Sequence, residues 1–135
     1  MIYFNNFNKN EVFILENVLK YYDNIDKKNI ISNNRLKQNI NNRTLLSKDD
    51  FYTIVLMLSS YIYLYKDIED YDENNLNHIS NLLLKFIFLY KDHYFTKISE
   101  IDKYVLYNLK ISFDKYIDIL NIENTYKPII SQILK

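Results

Sequence analysis

The 135-residue sequence contains no glycine, cysteine, tryptophan or alanine, and only one proline. Without cysteine there is no disulfide, thiolate zinc site or thiol nucleophile, and the chain bears no redox mark of its compartment. Without glycine, phosphate-cradling loops and the nucleophile elbow are also excluded, because those turns need positive φ or a close backbone approach. A membrane span is missing too. The longest uncharged run, Phe51–Tyr65, is 15 residues, which covers about 22 Å as a helix against a hydrocarbon core of about 30 Å. The first residues, MIYFNNFNKN, have neither the basic nor the apolar region of a secretory signal, so a cytoplasmic protein is expected.

The missing residue types share GC-rich codons, apart from cysteine and tryptophan, whereas the abundant Asn, Ile, Lys, Tyr and Phe have AT-rich ones. The composition therefore points to an AT-rich genome, and the 14 tyrosines are partly mutational in origin. The 48% hydrophobic content is enough to offset the entropy of ordering the chain, and the length predicts a single domain over residues 1–135.

Helix starts are legible. In FNKNEV, Asn8 and Glu11 have the spacing of a capping box, with Phe7 and Val12 placed as a hydrophobic staple. The helix should run to about Asp23, burying Leu15, Val18, Leu19 and Tyr22. The pattern recurs with Ser47, Asp50, Leu46 and Phe51, opening a helix whose apolar residues Phe51, Ile54, Val55, Leu58, Ile62 and Tyr65 are supplemented by Leu56 and Met57. It recurs again with Asp72, Asn75, Tyr71 and Leu76, opening a helix over about Glu73–Lys91 that is apolar on nearly every side. Thr96 is the expected cap of a fourth helix, with the stripe Ile98, Ile101, Val105, Leu109, Phe113, Ile117 and Leu120, ending near Asn121. Pro128 suits a first turn, predicting a short closing helix over Tyr126–Leu134 that presents Ile129, Ile130 and Ile133. A short helix is also expected near residues 33–41. The expected fold is an all-α, single-domain bundle of four main helices plus these short ones.

Charge is segregated within a neutral total. The segment Lys27–Lys48 holds six of the 17 basic residues and no acidic one, so the remainder carries −6. Lys27, Lys28, Arg35, Lys37 and Arg43 are the residues of a nucleic-acid reading. Against it stand the segment's lack of any aromatic residue for base stacking and a sequence pI of about 6.7, with a solvated loop as the alternative. The bend YKDIEDYDENN (Tyr65–Asn75) concentrates the acids. Asp72 and Glu73 are explained by cap and helix-dipole chemistry, but Asp67, Glu69 and Asp70 stand near a helix C-terminus, where the dipole disfavours anions. They are the candidate contact for a basic protein partner, beside the alternative of a polar turn.

No metal or cofactor is expected. The spacing Asp70, Asp72, Asn74 opens like a calcium loop, but Asn75 stands where Gly is required and Asn81 where a bidentate Glu is required. His78 and His93 form no helical ligand pair, and His78 belongs on a polar helix face. Ser59 and Ser60 lie in an apolar helix, where back-bonding to carbonyls is the expected role. No residue is nominated as catalytic, and the chain is read as a non-enzyme. With two helices apolar nearly all round, two readings stand. Either an apolar patch remains for a homodimer or partner, or Tyr61, Tyr63 and Tyr65 close the gap.

Several helices around an apolar hairpin, Phe51–Tyr65 and Leu76–Tyr90, in an AT-rich composition are loosely similar to the Bcl-2-like proteins of poxviruses. The likeness covers architecture alone: the Gly and Trp of that family's signature are absent, and no residue role is carried over. It implies a host-modulating protein. The functional expectation from the residues themselves is a small interaction module that occludes a protein partner's surface, as inhibitors and immunity proteins of viruses, phages and mobile elements do.

Overall fold

The structure, a computed structural model, describes residues 7–25, 30–42, 47–68, 72–90 and 99–135. These are all-α: α1 (Lys9–Ile25), α2 (Ile30–Asn41), α3 (Lys48–Tyr63), α4 (Tyr65–Ile68), α5 (Glu73–Leu89), α6 (Glu100–Tyr116), a 3₁₀ turn (Asn124–Tyr126) and α7 (Lys127–Ile133). They fall into two compact units, Met1–Phe51 and Tyr52–Lys135.

In the first unit, α1 opens with the expected box closed in both directions. The Glu11 amide donates to Asn8 Oδ1 and the Asn8 amide to Glu11 Oε1, each at 2.9 Å. Two of the helix's orphan donors are thereby satisfied, and Phe7 is buried in front of them. Leu15, Val18 and Leu19 form the buried stripe of α1, while Phe13 and Lys20 face solvent. The asparagine-rich α2 has weak intrinsic helix propensity and, at 12 residues, marginal length. It packs on α1 and buries Leu36 and Ile40, one turn apart. Burial of two such side chains contributes about 1.5–3 kcal/mol each. The start of α3 follows the predicted cap, the Asp50 amide donating to Ser47 Oγ at 3.1 Å.

In the second unit, α3 is buried nearly all round: between residues 52 and 63 only Thr53, Ser60 and Tyr63 are exposed. The helix breaks at Leu64, so Tyr65 belongs to the separate turn α4 rather than to α3 as predicted. Tyr65 stays fully buried, with its hydroxyl accepting from Asn75 Nδ2 at 2.9 Å. Asp72 caps α5 as expected, its Oδ1 accepting from the Asn74 and Asn75 amides at 3.0 and 3.4 Å. The Asn75 side chain, however, turns away to Tyr65, so that hydrogen bond ties the two ends of the acidic bend together. Leu76, Ile79, Leu82, Leu83, Leu84, Phe86 and Ile87 bury α5 on most sides.

Helix α6 departs from the sequence reading. Thr96 lies outside the described residues, and the cap of α6 is Ser99, which forms a full capping box with Asp102. Asp102 is buried while Ile101 is exposed, so the buried face at this end is rotated one position from the expected stripe. The helix also ends at Tyr116 rather than near Asn121, leaving Ile117 exposed. The reason lies on α5. Asn77 Oδ1 accepts from the Asn121 amide at 2.6 Å, and Asn81 accepts from the Glu123 amide at 2.9 Å while donating to the Asn121 carbonyl at 3.0 Å. These two amides, one turn apart, hold the backbone of 121–123 in a non-helical path. The chain then enters α7 with Pro128 in the first turn and Ile129, Ile130 and Ile133 buried, as predicted. Helix α7 packs on both α5 and α6.

Hydrogen bonds set α6 beside α3. Ser112 Oγ donates to the Ser59 carbonyl at 2.7 Å, and Ser59 Oγ back-bonds to the Val55 carbonyl at 2.8 Å. The Tyr63 carbonyl, at the C-terminus of α3, accepts from Lys115 Nζ at 2.5 Å, and that ammonium lies 4.2 Å from the Tyr63 ring centroid. No basic residue occupies the last turn of α3; Lys115 supplies the cation that the helix dipole favours there. The pairs Tyr52–Asp102, Ser59–Ser112 and Tyr63–Lys115 advance together, so α3 and α6 run in the same direction. Among the described residues both apolar helices are buried on most sides, with Leu56, Met57 and Phe88 half-buried and Leu89 exposed. Of the tyrosines proposed to close the gap, Tyr61 and Tyr65 are buried and Tyr63 is exposed.

Candidate partner-binding surface

The residues singled out for the acidic bend are only partly in view. Asp67 is exposed on α4, and Glu69 and Asp70 lie outside the described residues. Of the basic set, Lys27, Lys28 and Arg43 lie outside as well. Arg35 donates from its guanidinium to Asp50 Oδ1 at 2.7 Å, the arginine side chain being 61% exposed and the aspartate 4%. The acid that neutralises Arg35 thus stands just beyond the segment whose lack of acids suggested a phosphate surface. Lys37, two residues on along α2, is half-buried, and the spacing puts it on a different helix face. His78 is exposed on α5, as expected of a polar-face residue, and His93 lies outside the described residues.

A surface that the sequence reading missed is displayed by α6. Its inner face buries Asp102, Val105, Leu109, Ser112, Phe113 and Tyr116. Its outer face carries Ile101, Tyr104 and Tyr107, which are 48%, 59% and 63% exposed. These residues are spaced three apart and form a continuous apolar and aromatic stripe on the solvent side. The only sequence sign was that Tyr104 and Tyr107 fall off the buried stripe, a signal weakened by the abundance of tyrosine everywhere in the chain.

The stripe is held in place from beneath by a polar cluster in which Tyr52 and Asp102 are buried and Ser99 is exposed. Tyr52 Oη, on α3, donates to Asp102 Oδ1 at 2.6 Å; Asp102 Oδ2 accepts from the Ser99 amide at 3.0 Å and from Ser99 Oγ at 2.8 Å. Burial raises the Tyr52 hydroxyl well above the ordinary tyrosine pKa, with the hydrogen bond to the Asp102 carboxylate and that group's negative charge acting in the same direction. The hydroxyl therefore stays a donor, and the first turn of α6 has a fixed rotation relative to α3.

Beside the stripe, α6 and the C-terminal end of the chain enclose an open cleft of about 510 Å³. It is lined by Lys103, Leu106, Tyr107 and Lys110 from α6 and by Gln132, Ile133 and Lys135. Tyr107 thus belongs to both the stripe and the cleft. Among the described residues, no group of three or more His, Asp or Glu side chains could hold a metal ion, and no helix is long and apolar enough to cross a membrane.

The chain matches no protein-family model, and neither a curated protein nor a solved structure matches it significantly. The likeness to Bcl-2-like proteins gains no support from them.

Proposed function

We propose that the protein is a helical interaction module that acts by covering a surface of a protein partner. The observation that carries this reading is the exposed Ile101–Tyr104–Tyr107 stripe on the outer face of α6, fixed in rotation by the Tyr52–Asp102–Ser99 hydrogen bonds. Tyrosine is enriched at protein interfaces because its ring supplies apolar area at low entropic cost while its hydroxyl stays hydrated. Surface tyrosines grouped with an isoleucine suit a docking face better than a reaction centre. The acidic bend, with Asp67, Glu69 and Asp70, is a second contact in this reading. No catalytic residue and no cofactor belong to it. An inhibitor or immunity-type protein of a virus, phage or mobile element, working in the cytoplasm, fits the AT-biased composition and the excluded catalytic motifs.

The test is site-specific crosslinking in the source cells. With p-benzoylphenylalanine at position 104, a heterologous protein should be captured in defined stoichiometry, and Tyr104→Ser with Tyr107→Ser should weaken the purified complex at least about tenfold. Capture of this chain alone, or a complex indifferent to both serine substitutions, would overturn the reading.

A further inference from the structure

We propose that the cleft between α6 and α7 seats a short acidic segment of the partner. One apolar side chain of that segment enters against Leu106, Tyr107 and Ile133, and its carboxylates meet Lys103 and Lys110. The inference rests on the protein-binding reading of α6 and adds the partner's chemistry.

The sign of the occupant follows from the lining, in which Lys103, Lys110 and Lys135 stand with no Asp or Glu residue among them. Lys103 pairs with Glu100 at 3.1 Å, but both side chains are largely exposed, and an exposed pair of this kind exchanges at little cost. Lys110 and Lys135 form no ion pair among the described residues. Three lysines lining one cleft favour a ligand that brings carboxylates.

The apolar anchor follows from the floor. Ile133 is buried and Leu106 half-buried, and Tyr107 also lines the cleft. The volume of about 510 Å³ lies within the roughly 300–1,000 Å³ of ligand-holding sites. It suits one large side chain with its flanking backbone.

A nucleic acid fits less well. Helix α6 carries Glu100, Asp102 and Asp114 against Lys103, Lys110 and Lys115, so its net charge is zero. The positive field ends with the cleft, and a strand of regularly spaced phosphates leaving it meets the exposed Glu100 and Asp114. A short segment whose acids are confined to the cleft avoids that repulsion.

The experiment is a titration of the full, ¹⁵N-labelled chain followed by amide chemical shifts. The probe is an end-capped peptide of glutamates interspersed with phenylalanine and leucine. Saturable shifts confined to residues 103–110 and 132–135 are expected. Lys103→Glu with Lys110→Glu should weaken binding by about tenfold, and Tyr107→Ser should weaken it as well. Lys127→Glu, which adds negative charge outside the cleft, should leave it unchanged. The proposal is overturned if a lysine-for-glutamate peptide shifts the same amides equally, if the acidic peptide shifts none, or if Lys127→Glu weakens binding as much as the cleft variants. Tighter binding of decauridylate at these amides overturns it in favour of a nucleic-acid surface. Because the titration needs no natural partner, its failure alongside a crosslink that depends on Tyr104 and Tyr107 removes the cleft and leaves the docking face standing.

Discussion

Replacing Tyr52 with phenylalanine isolates the bond that sets the rotation of α6. The ring stays, so no cavity opens; the change deletes a hydroxyl that donates at 2.6 Å to a fully buried carboxylate. Hydrogen bonds to charged groups contribute about 1.5–3 kcal/mol. Asp102 keeps the two donors from Ser99, so a loss near the middle of that range, about 2 kcal/mol, is expected. For a chain of this size that lowers the melting temperature by roughly 5–10 °C, read by far-UV circular dichroism. The pH dependence gives a second readout. The Tyr52 hydroxyl titrates well above the ordinary value near 10 in the folded state, so its contribution is fully present below pH 10. Above that pH the unfolded chain ionises first, and the contribution falls by about 1.4 kcal/mol per pH unit. The gap between the wild type and Tyr52→Phe should therefore narrow from about 2 kcal/mol at pH 7 to under about 1 kcal/mol at pH 11. A variant within about 0.5 kcal/mol of the wild type at pH 7, or a gap that widens with alkali, would refute the buried donor.

Two buried serines should respond in opposite directions. Ser112 Oγ shares its one proton between the Ser59 and Asn108 carbonyls, so Ser112→Ala should lose about 1 kcal/mol in urea unfolding. Ser80 Oγ is buried with no hydrogen-bond partner among the described residues, so Ser80→Ala should gain about 0.5–1.5 kcal/mol from removed desolvation and better helix propensity; a loss there would mean that the hydroxyl is satisfied in solution. Reversing charge at Asp67, Glu69 and Asp70 should slow association with the captured partner and alter its salt dependence more than its dissociation rate. Unchanged stopped-flow kinetics would remove the acidic bend from the interface.

Which features were legible follows from how locally each is determined. The Asn8–Glu11 and Ser47–Asp50 spacings concern residues three apart, so the caps could be read directly, and the Leu15–Val18–Leu19 stripe needs only the helix period. The end of α6 could not be read that way. It is decided by Asn77 and Asn81, some forty residues earlier, whose amides capture the 121–123 backbone; in a chain so rich in asparagine, nothing marks these two. Likewise Ile101 looked buried because it continues an apolar stripe. Asp102 takes the buried place because Tyr52, fifty residues away, offers it a hydrogen bond.

The same locality explains why the α6 surface escaped the sequence reading. Sequence exposes clusters that are contiguous in the chain, such as the acids of 67–73 and the bases of 27–48. The cleft joins lysines from α6 to a lysine beyond α7, and only the packing of α7 on α6 brings them together. Tyr107 had no distinguishing mark among 14 tyrosines until the buried faces of α3 and α5 were accounted for. Most of their large side chains are consumed by packing, as Tyr61 of α3 is, whereas Tyr104 and Tyr107 of α6 are not. In a composition set largely by codon bias, exposure left over after packing distinguishes a docking residue better than residue type does.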